Sequence, residues 1–239
     1  KVFLYFYATN IYCIDFKKRN KIQLSNFWHL IKWKNYCVWD VYQKKFILKN
    51  IDFKAQVNVY GPIYFSDSNL DAKISFDNYV VVFDTQPFRS SFHHLLLEEQ
   101  HHISSVVNKF NNDIYKMSKT FNFNIVHKRK RKIEHLNLQN KSYIKNLKNL
   151  SNKNNFHSID PLNSPYDIIE KSNIVISMPY SSISIYAKLR GIKTIYYDPF
   201  SNIIDNKNKN HGVELISGYK NLKLFFNKFY FKNDESKYL

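Results

Sequence analysis

The sequence predicts an α/β protein with two Rossmann-like domains built on parallel sheets, the first domain being incomplete. Short apolar runs rich in β-branched residues, such as Tyr79–Phe83 (YVVVF), have the length and composition of strands buried on both faces. Helix-length segments separate these runs, which is the pattern of βαβ units. The order of elements along the second half of the chain is that of a doubly wound domain.

The N-terminal region, residues 1–67, is predicted to be the remainder of one Rossmann-like domain. Strands are expected at 2–7, 37–39 and 57–60, with helices at 24–31 and 42–48. The polar segment 68–78 has few apolar residues and is predicted to be an interdomain linker. The first residue is Lys1 and an apolar run follows at once, so we expect the chain to be part of a longer protein.

The C-terminal domain is predicted to span 79–232, with a short tail at 233–239. A buried strand at 79–83 precedes a long amphipathic helix at 101–121 and a second strand at 123–126. The Asn- and Lys-rich segment 137–155 is predicted to be a mobile insertion with a marginal helix at 143–150. A βαβ unit at 164–199, a polar loop at 201–210 and a final amphipathic helix after 212–217 complete the domain.

Composition excludes several classes of protein. The chain is 44% hydrophobic and 17% aromatic, which is enough to fill one large core or two small ones. It contains no apolar stretch of membrane-spanning length and no signal-peptide layout at its start. Cys13 and Cys37 provide no disulfide framework, so a reduced cytoplasmic protein is expected.

The net charge of +17 suggests an anionic partner, either nucleic acid or an anionic membrane surface. The basic residues are scattered along the sequence, and no nucleic-acid-binding motif accompanies them. Heavy use of Lys, Asn, Ile, Phe and Tyr indicates AT-biased coding, which places lysine at solvated positions without a function. We therefore expect no nucleic acid and allow peripheral contact with an anionic membrane.

Three loops follow predicted strands of the C-terminal domain and should open on the same edge of its sheet. A helix N-terminus with hydroxyls and cations nearby is a site for phosphate. The candidate phosphate-binding residues are Arg89, His127, Lys128, Arg129, Arg131, Ser181 and Ser182. The competing interpretations are that Ser181 or Ser182 is only a helix N-cap and that the basic run is a solvated strand end. No histidine or cysteine spacing indicates a metal site, and there is no Walker A or G-x-G-x-x-G loop.

Four stretches, in this order, resemble GT-B glycosyltransferases of bacterial surface-polysaccharide biosynthesis. They are YCVWD with Tyr42 and Gln43 (36–43), VFDTQP with Arg89 (82–89), ISMPYSS through YYDP (176–199), and HGVELISG (211–218). Within that class the chain is similar to the surface carbohydrate biosynthesis group, whose members have a P-[FY]-[ST]-[ST] loop. The resemblance covers most of the chain, from about Trp33 to Phe226.

The resemblance implies a GT-B fold and transfer of a sugar from a nucleotide-activated donor, without a cofactor, to a surface polysaccharide or lipid-linked glycan. His127 and the basic residues after it resemble the signature of sialyl- and Kdo-type transferases, which implies a CMP-sugar donor, although no proline follows His127 here. The resemblance places Glu214 on the donor ribose. Asp84 is the candidate catalytic residue, as a base or to orient the acceptor, with Asp198 as the second carboxylate or only a turn cap. The alternatives are a basic nucleic-acid-binding protein and an inactive GT-B scaffold domain.

Overall fold

The computed structural model describes residues 2–6, 8, 14–17, 32–51, 54–62, 78–87, 103–130 and 140–235, with side chains up to residue 230. The N-terminal unit is a three-stranded sheet of β1 (Leu4–Tyr5), β2 (Asn35–Val38) and β3 (Gln56–Val59), all parallel and in that order. Helix α1 (Val41–Asn50) connects β2 to β3, and its first turn is capped by the side chain of Asp40. The described part of the N-terminal region thus forms a small parallel α/β unit.

The second unit contains a six-stranded parallel sheet. Its strands are β4 (Tyr79–Phe83), β5 (Asn124–Lys128), β6 (Phe156–Ile159), β7 (Ile174–Ser177), β8 (Thr194–Asp198) and β9 (Glu214–Ser217). The helices are α2 (Ser104–Phe121), α3 (Lys141–Ser151), α4 (Pro165–Glu170), α5 (Ser182–Leu189) and α6 (Tyr219–Glu235). The spatial order is β6-β5-β4-β7-β8-β9, and every pairing is parallel. This is a doubly wound sheet whose order reverses between β4 and β7.

Both faces of the large sheet are covered, which explains why its strands are apolar throughout. Val80 and Val82 point to a layer formed by α2, α3 and α6. Tyr79 and Val81 point to the opposite face, against α4, α5 and part of the N-terminal unit. A strand buried on both faces needs apolar side chains at consecutive positions, and the YVVVF run satisfies this requirement. The α/β class and the parallel sheets predicted from the sequence are confirmed.

The described part of the segment predicted to be a mobile insertion, residues 140–155, packs into the domain. Within it lies α3, which is capped at its start by the side chain of Asn140 and buries Tyr143, Leu147 and Leu150 against the core. These three residues follow helical spacing, and that spacing outweighs the polar composition around them. The segment is followed by β6, an edge strand that the sequence analysis did not predict. Strand β9 likewise lies within 212–217, which was predicted only to lead into the last helix.

Several predictions fall outside the described residues, namely the helix at 24–31 and most of the linker at 68–78. The final helix α6 continues to Glu235, past the predicted domain end at 232. None of the helices in the described part of the chain combines the length and apolar character needed to cross a bilayer.

The two units contact each other directly. Phe16 and Ile203 form an antiparallel bridge, and the amide of Ile204 donates to the carbonyl of Asp15. Lys209 pairs with Asp15 at 2.6 Å. The loop after β8 therefore holds the segment at 14–17 against the second unit.

Candidate functional site

The carboxyl edge of the large sheet is the natural place for a ligand in this fold. In doubly wound sheets ligands bind outside the carboxyl ends of the strands where the strand order reverses, which here is between β4 and β7. The chain leaves β4 into Asp84–Pro87 and leaves β7 into Met178–Ser181. The amide of Met178 donates to the carbonyl of Phe83 at 3.1 Å, so the two loops start side by side.

Asp84, the candidate catalytic residue, is buried at the centre of a polar network on the side of the sheet covered by α2 and α3. Its Oδ2 accepts hydrogen bonds from Asn111 Nδ2 at 2.8 Å and from the Tyr143 hydroxyl at 2.9 Å. Nε2 of His127 lies 3.0 Å from the same oxygen, at an ion-pair distance but without hydrogen-bond alignment. The structure therefore brings Asp84 and His127, both singled out from the sequence, into contact across β4 and β5.

Arg129 belongs to the same network. Its positive charge lowers the pKa of the Tyr143 phenol, whereas burial and the adjacent Asp84 carboxylate raise it, and burial is the largest effect. The net pKa of Tyr143 lies well above its ordinary value, so this phenol stays a hydrogen-bond donor to Asp84.

Several polar atoms around Asp84 are buried and make no hydrogen bond. Within the described residues these atoms include Asp84 Oδ1, Thr85 Oγ1, Asn111 Oδ1, both ring nitrogens of His127, and Nε and Nη1 of Arg129. Buried polar groups in proteins are nearly always paired, and leaving one unpaired costs roughly 1–3 kcal/mol. The set combines a guanidinium donor with carboxylate, amide and hydroxyl acceptors. It is therefore suited to a ligand that has both an anionic group and hydroxyl groups.

Lys128 does not join this network, because alternate residues of a strand point to opposite faces. Its Nζ donates to the carbonyl of Pro161 at 2.8 Å, on the other side of the sheet. Burial lowers its pKa, and the nearby Asp160 carboxylate partly offsets that effect. The structure thus separates Lys128 from His127 and Arg129, although the three residues are adjacent in sequence.

The Pro179–Ser182 loop turns sharply between β7 and α5. Tyr180 has a positive φ of 62°, an uncommon conformation for a residue with a side chain. Ser181 is the N-cap of α5, but its side chain makes no capping hydrogen bond, which leaves its hydroxyl available. Its carbonyl accepts from the Tyr196 hydroxyl at 2.9 Å, so the β8 strand holds the loop in place. Ser182 is the first residue of α5, at the end where the helix dipole is positive.

Glu214 is not brought together with the other candidates. It begins β9 instead of following a strand, so it lies at the opposite edge of the sheet from the three loops. Its carboxylate forms an exposed ion pair with Lys193 at 3.2 Å. The expected position on the rim of the donor cleft does not agree with this geometry.

The remaining candidates are placed as follows. Asp198 accepts the backbone amides of Phe200 and Ile203 and so caps the turn after β8, one of the two roles considered for it. Arg89 and Arg131 lie outside the described residues. No group of three or more His, Cys, Asp or Glu side chains able to hold a metal ion occurs in the described part of the chain.

Asn111 and Tyr143 are the site residues that the sequence analysis missed. Asn111 lies on the apolar side of α2, between Phe110 and Ile114, where a polar residue is unusual. An amide in that position is a signal of a buried polar partner, and it could have been read from the sequence. Tyr143 was assigned to a marginal helix, so its burial beside Asp84 was not anticipated.

A second constellation lies at the junction of the two units. Asp40, at the end of β2, pairs with Nδ1 of His211 at 2.7 Å, and both side chains are buried. The ring of Tyr42 lies beside that of His211 in a tilted arrangement, with centroids 5.7 Å apart. Lys188 Nζ lies over the Tyr42 ring at 5.7 Å and donates to the His211 carbonyl at 2.9 Å. Two of the stretches quoted from the sequence, 36–43 and 211–218, thus meet in space.

A comparison with models of protein families finds a match that covers both units of the structure. A family model described as "Polysaccharide biosynthesis PFTS motif protein" matches residues 1–226. The chain belongs to this polysaccharide biosynthesis family. The loop at 179–182 reads Pro-Tyr-Ser-Ser, a conservative variant of the four residues in the description, and it lies at the switch point of the sheet.

Comparisons with individual proteins are more distant. A comparison with curated proteins finds no significant match. Among solved structures, the chain is similar to the UDP-GlcNAc 2-epimerase of Methanocaldococcus jannaschii, crystallised with UDP-GlcNAc and UDP, with 10% identity and a TM-score of 0.46 over 75% of this chain and 49% of that one. It is also similar to TarM, with 15% identity and a TM-score of 0.46 over 95% of this chain and 42% of that one. The chain thus spans less than half the length of either protein.

Proposed function

We propose that this PFTS-motif protein transfers a sugar from a nucleotide-activated donor to a surface polysaccharide or a lipid-linked glycan, at the cytoplasmic side of the membrane. The observation on which the proposal rests is the set of buried, unpaired polar atoms around Asp84 and Arg129 at the carboxyl edge of the sheet. A polysaccharide biosynthesis family provides the chemical setting, because building a polysaccharide requires activated sugars.

The donor phosphate is proposed to bind between Arg129 and the start of α5. Arg129 follows β5 and α5 follows β7, so the two strand ends are two strand spacings apart, roughly 10 Å. A diphosphate bound over the end of β4 is proposed to reach both. The backbone N–H groups in the first turn of α5 and the hydroxyls of Ser181 and Ser182 are proposed to supply donors. Arg129 supplies a fixed positive charge, which stabilises the phosphate as the glycosidic bond breaks. Arg89 and Arg131, which lie outside the described residues, are proposed as further cations at the same edge, and Lys128 as a cation on the other side of the sheet.

Asp84 is proposed to orient a hydroxyl group through Oδ1. Its other oxygen is held by Asn111 and Tyr143, so the carboxylate is fixed in one orientation. A positioned carboxylate can accept the proton of an attacking hydroxyl, which is the role of a general base. His127, stacked on Phe156 and in contact with Asp84, is proposed to complete this positioning.

The test is direct measurement of donor binding by calorimetric titration with a CMP-sugar and with a UDP-sugar. Losing a charge-assisted hydrogen bond costs about 1.5–3 kcal/mol, so Arg129→Ala and Ser182→Ala should each weaken binding about tenfold or more. Arg190→Ala is the matched control, because Arg190 is an exposed arginine paired with Glu170 at 2.6 Å, away from the candidate edge. It should bind the donor as the wild type does.

Three outcomes separate this proposal from its alternatives. A chain that binds no nucleotide sugar but binds oligonucleotides, with an affinity that falls steeply as salt rises, is a nucleic-acid-binding protein. A chain that binds neither fits an inactive scaffold domain. Equal losses in Arg129→Ala and Arg190→Ala would show that only overall charge matters, and the site assignment would be abandoned.

A further inference from the structure

The helices on one face of the large sheet form a strongly basic layer. α2 is at the centre of this layer, and α3 and α6 pack beside it over the same face. Each of the three helices contributes three lysines within its described side chains, namely Lys109, Lys116, Lys119, Lys141, Lys145, Lys148, Lys220, Lys223 and Lys228. Eight of the nine are exposed, and Lys109 is half-buried. We call these nine residues the lysine layer.

Acidic residues are nearly absent from the parts of these helices whose side chains are described; Asp234 and Glu235, at the end of α6, lie outside those parts. In α2, α3 and residues 219–230 of α6, Asp113 is the one acidic residue, and it is buried and occupied by Lys109 and the Tyr197 hydroxyl. Among the described residues, no other lysine of the layer has a carboxylate partner. Lys116 and Lys119 instead lie over tyrosine rings at 5.7 Å. The positive charge of the layer is therefore almost uncompensated.

The opposite face of the same sheet has a different charge. Counting their C-caps, α4 carries Asp167, Glu170 and Lys171. α5 carries Lys188, which is engaged at the junction of the two units, and Arg190, which pairs with Glu170. A bias towards lysine in the coding sequence alone would not distinguish the two faces of one sheet. The asymmetry arises only from the folding of three separate segments onto one side.

The lysine layer is also oriented with respect to the candidate site. Helices in a parallel α/β sheet run opposite to the strands, so α2, α3 and α6 all begin at the carboxyl edge where Asp84 lies. Lys141 and Lys220 are in the first turns of their helices, at that edge, and Lys109 is in the second turn of α2. A planar anionic surface in contact with the layer would therefore adjoin the opening of the site.

We propose that the lysine layer binds the anionic headgroups of a lipid membrane. Clustered lysines attract anionic lipid, each contributing affinity by electrostatic attraction near the surface. The layer is a face of three adjacent helices, and Leu224, which is 48% exposed between Lys223 and Lys228, provides an apolar contact. Single-stranded nucleic acid is instead bound in grooves lined with aromatic side chains on which bases stack. This membrane-binding surface is separate from the donor site of the proposed function, and the proposal does not depend on which nucleotide sugar is the donor.

The experiment measures sedimentation of the full 239-residue chain with vesicles of phosphatidylcholine alone and of phosphatidylcholine with phosphatidylglycerol. The variant Lys141→Gln/Lys145→Gln/Lys148→Gln removes three charges from α3. The matched control, Lys44→Gln/Lys45→Gln/Lys49→Gln, removes three charges from α1 in the other unit and changes the net charge by the same amount. Donor titration is run on both, because Lys141, Lys145 and Lys148 are outside the donor site.

We expect the wild type to bind anionic vesicles and not neutral ones, with an affinity that falls as salt is added. The vesicle affinity of the α3 variant should fall about a hundredfold, since each of its three lysines is worth about fivefold, and the α1 control should stay close to the wild type. Absence of binding to anionic vesicles, equal losses in both variants, or tighter binding to an oligonucleotide than to vesicles would each overturn the proposal. If the α3 variant binds the nucleotide sugar normally, the result of the vesicle experiment tests the membrane proposal alone and leaves the glycosyltransferase proposal unaffected.

Discussion

Oδ2 of Asp40 lies 2.7 Å from Nδ1 of His211, a residue 171 positions later in the chain. The other oxygen of Asp40 accepts the amide of Gln43 at 2.8 Å and so caps α1. Gln43 in turn accepts the amide of Trp39 through its side chain at 2.8 Å. One carboxylate thus joins a local helix start to a contact between the two units.

Replacing Asp40 should destabilise the protein more than replacing any exposed acidic residue. Asp40→Ala removes a helix cap, worth about 1 kcal/mol, and leaves His211 without its buried partner, so we expect a total loss of about 3 kcal/mol. Urea denaturation measures this free energy of unfolding. Glu214→Ala, which removes an exposed ion pair, is the control and should cost less than about 1 kcal/mol. Similar losses in the two variants would mean that the buried pair contributes little.

Gly212 should tolerate a side chain less well than Gly191. Both have positive φ, +69° and +76°, so alanine at either position carries the backbone strain of about 1–2 kcal/mol. A Cβ at Gly212 would also collide with Lys188 Nζ and lie 2.7 Å from the Tyr42 hydroxyl, whereas nothing is within 4 Å at Gly191. Gly212→Ala should therefore lower the thermal midpoint further than Gly191→Ala. Equal thermal midpoints for the two variants would show that the Lys188 and Tyr42 side chains move aside without loss of stability.

The hydroxyl of Tyr143 should stabilise the fold, and that of Tyr230 should not. Tyr143→Phe removes a hydrogen bond to the Asp84 carboxylate, for an expected loss of about 2 kcal/mol. The Tyr230 hydroxyl is buried and has no hydrogen-bond partner among the described residues, so Tyr230→Phe should be neutral or slightly stabilising. The comparison uses the same chemical change at two buried sites, and chemical denaturation provides the readout. A destabilised Tyr230→Phe would contradict the assignment.

Stability should decrease in alkaline solution because of buried tyrosines. Burial raises the pKa of Tyr79 from 10.0 to about 12. Below pH 10 the folded and unfolded states both keep this proton; between pH 10 and 12 the unfolded chain releases it first, which favours unfolding. Tyr79→Phe loses the hydrogen bond to the Ile168 carbonyl and should be about 1 kcal/mol less stable than the wild type near pH 9. That gap should narrow by about pH 11.5, and a constant gap would refute the explanation.

Much of the fold could be predicted because its signals are local. The YVVVF run and the apolar runs at 174–177 and 194–198 predicted buried parallel strands, and all three are found. The prediction was wrong where composition was given more weight than spacing, at α3, whose three buried residues lie among lysines and asparagines. Strand β6 was missed because only one of its four residues is fully buried. An edge strand with polar positions has little local signal.

The candidate site could be predicted only in part, for a related reason. Asp84 and Ser181 follow strands, so the topology of a parallel sheet places them at one edge. Lys128 and Arg129 were predicted together, but side-chain alternation along β5 sends them to opposite faces. Glu214 was placed by resemblance, and its position at the start of β9 puts it at the other edge.

By itself the sequence determined the α/β class, the parallel strands and the loop at 179–182, because these follow from short-range periodicity and turn chemistry. The tertiary structure decided which distant residues meet: Asp40 with His211, Asp84 with Asn111 and Tyr143, and nine lysines from three helices on one face. Such contacts depend on how the helices and strands pack and on the order of the strands in the sheet. Strand order has no local signature, so lysines that look scattered along the chain become a single surface only when the sheet is assembled.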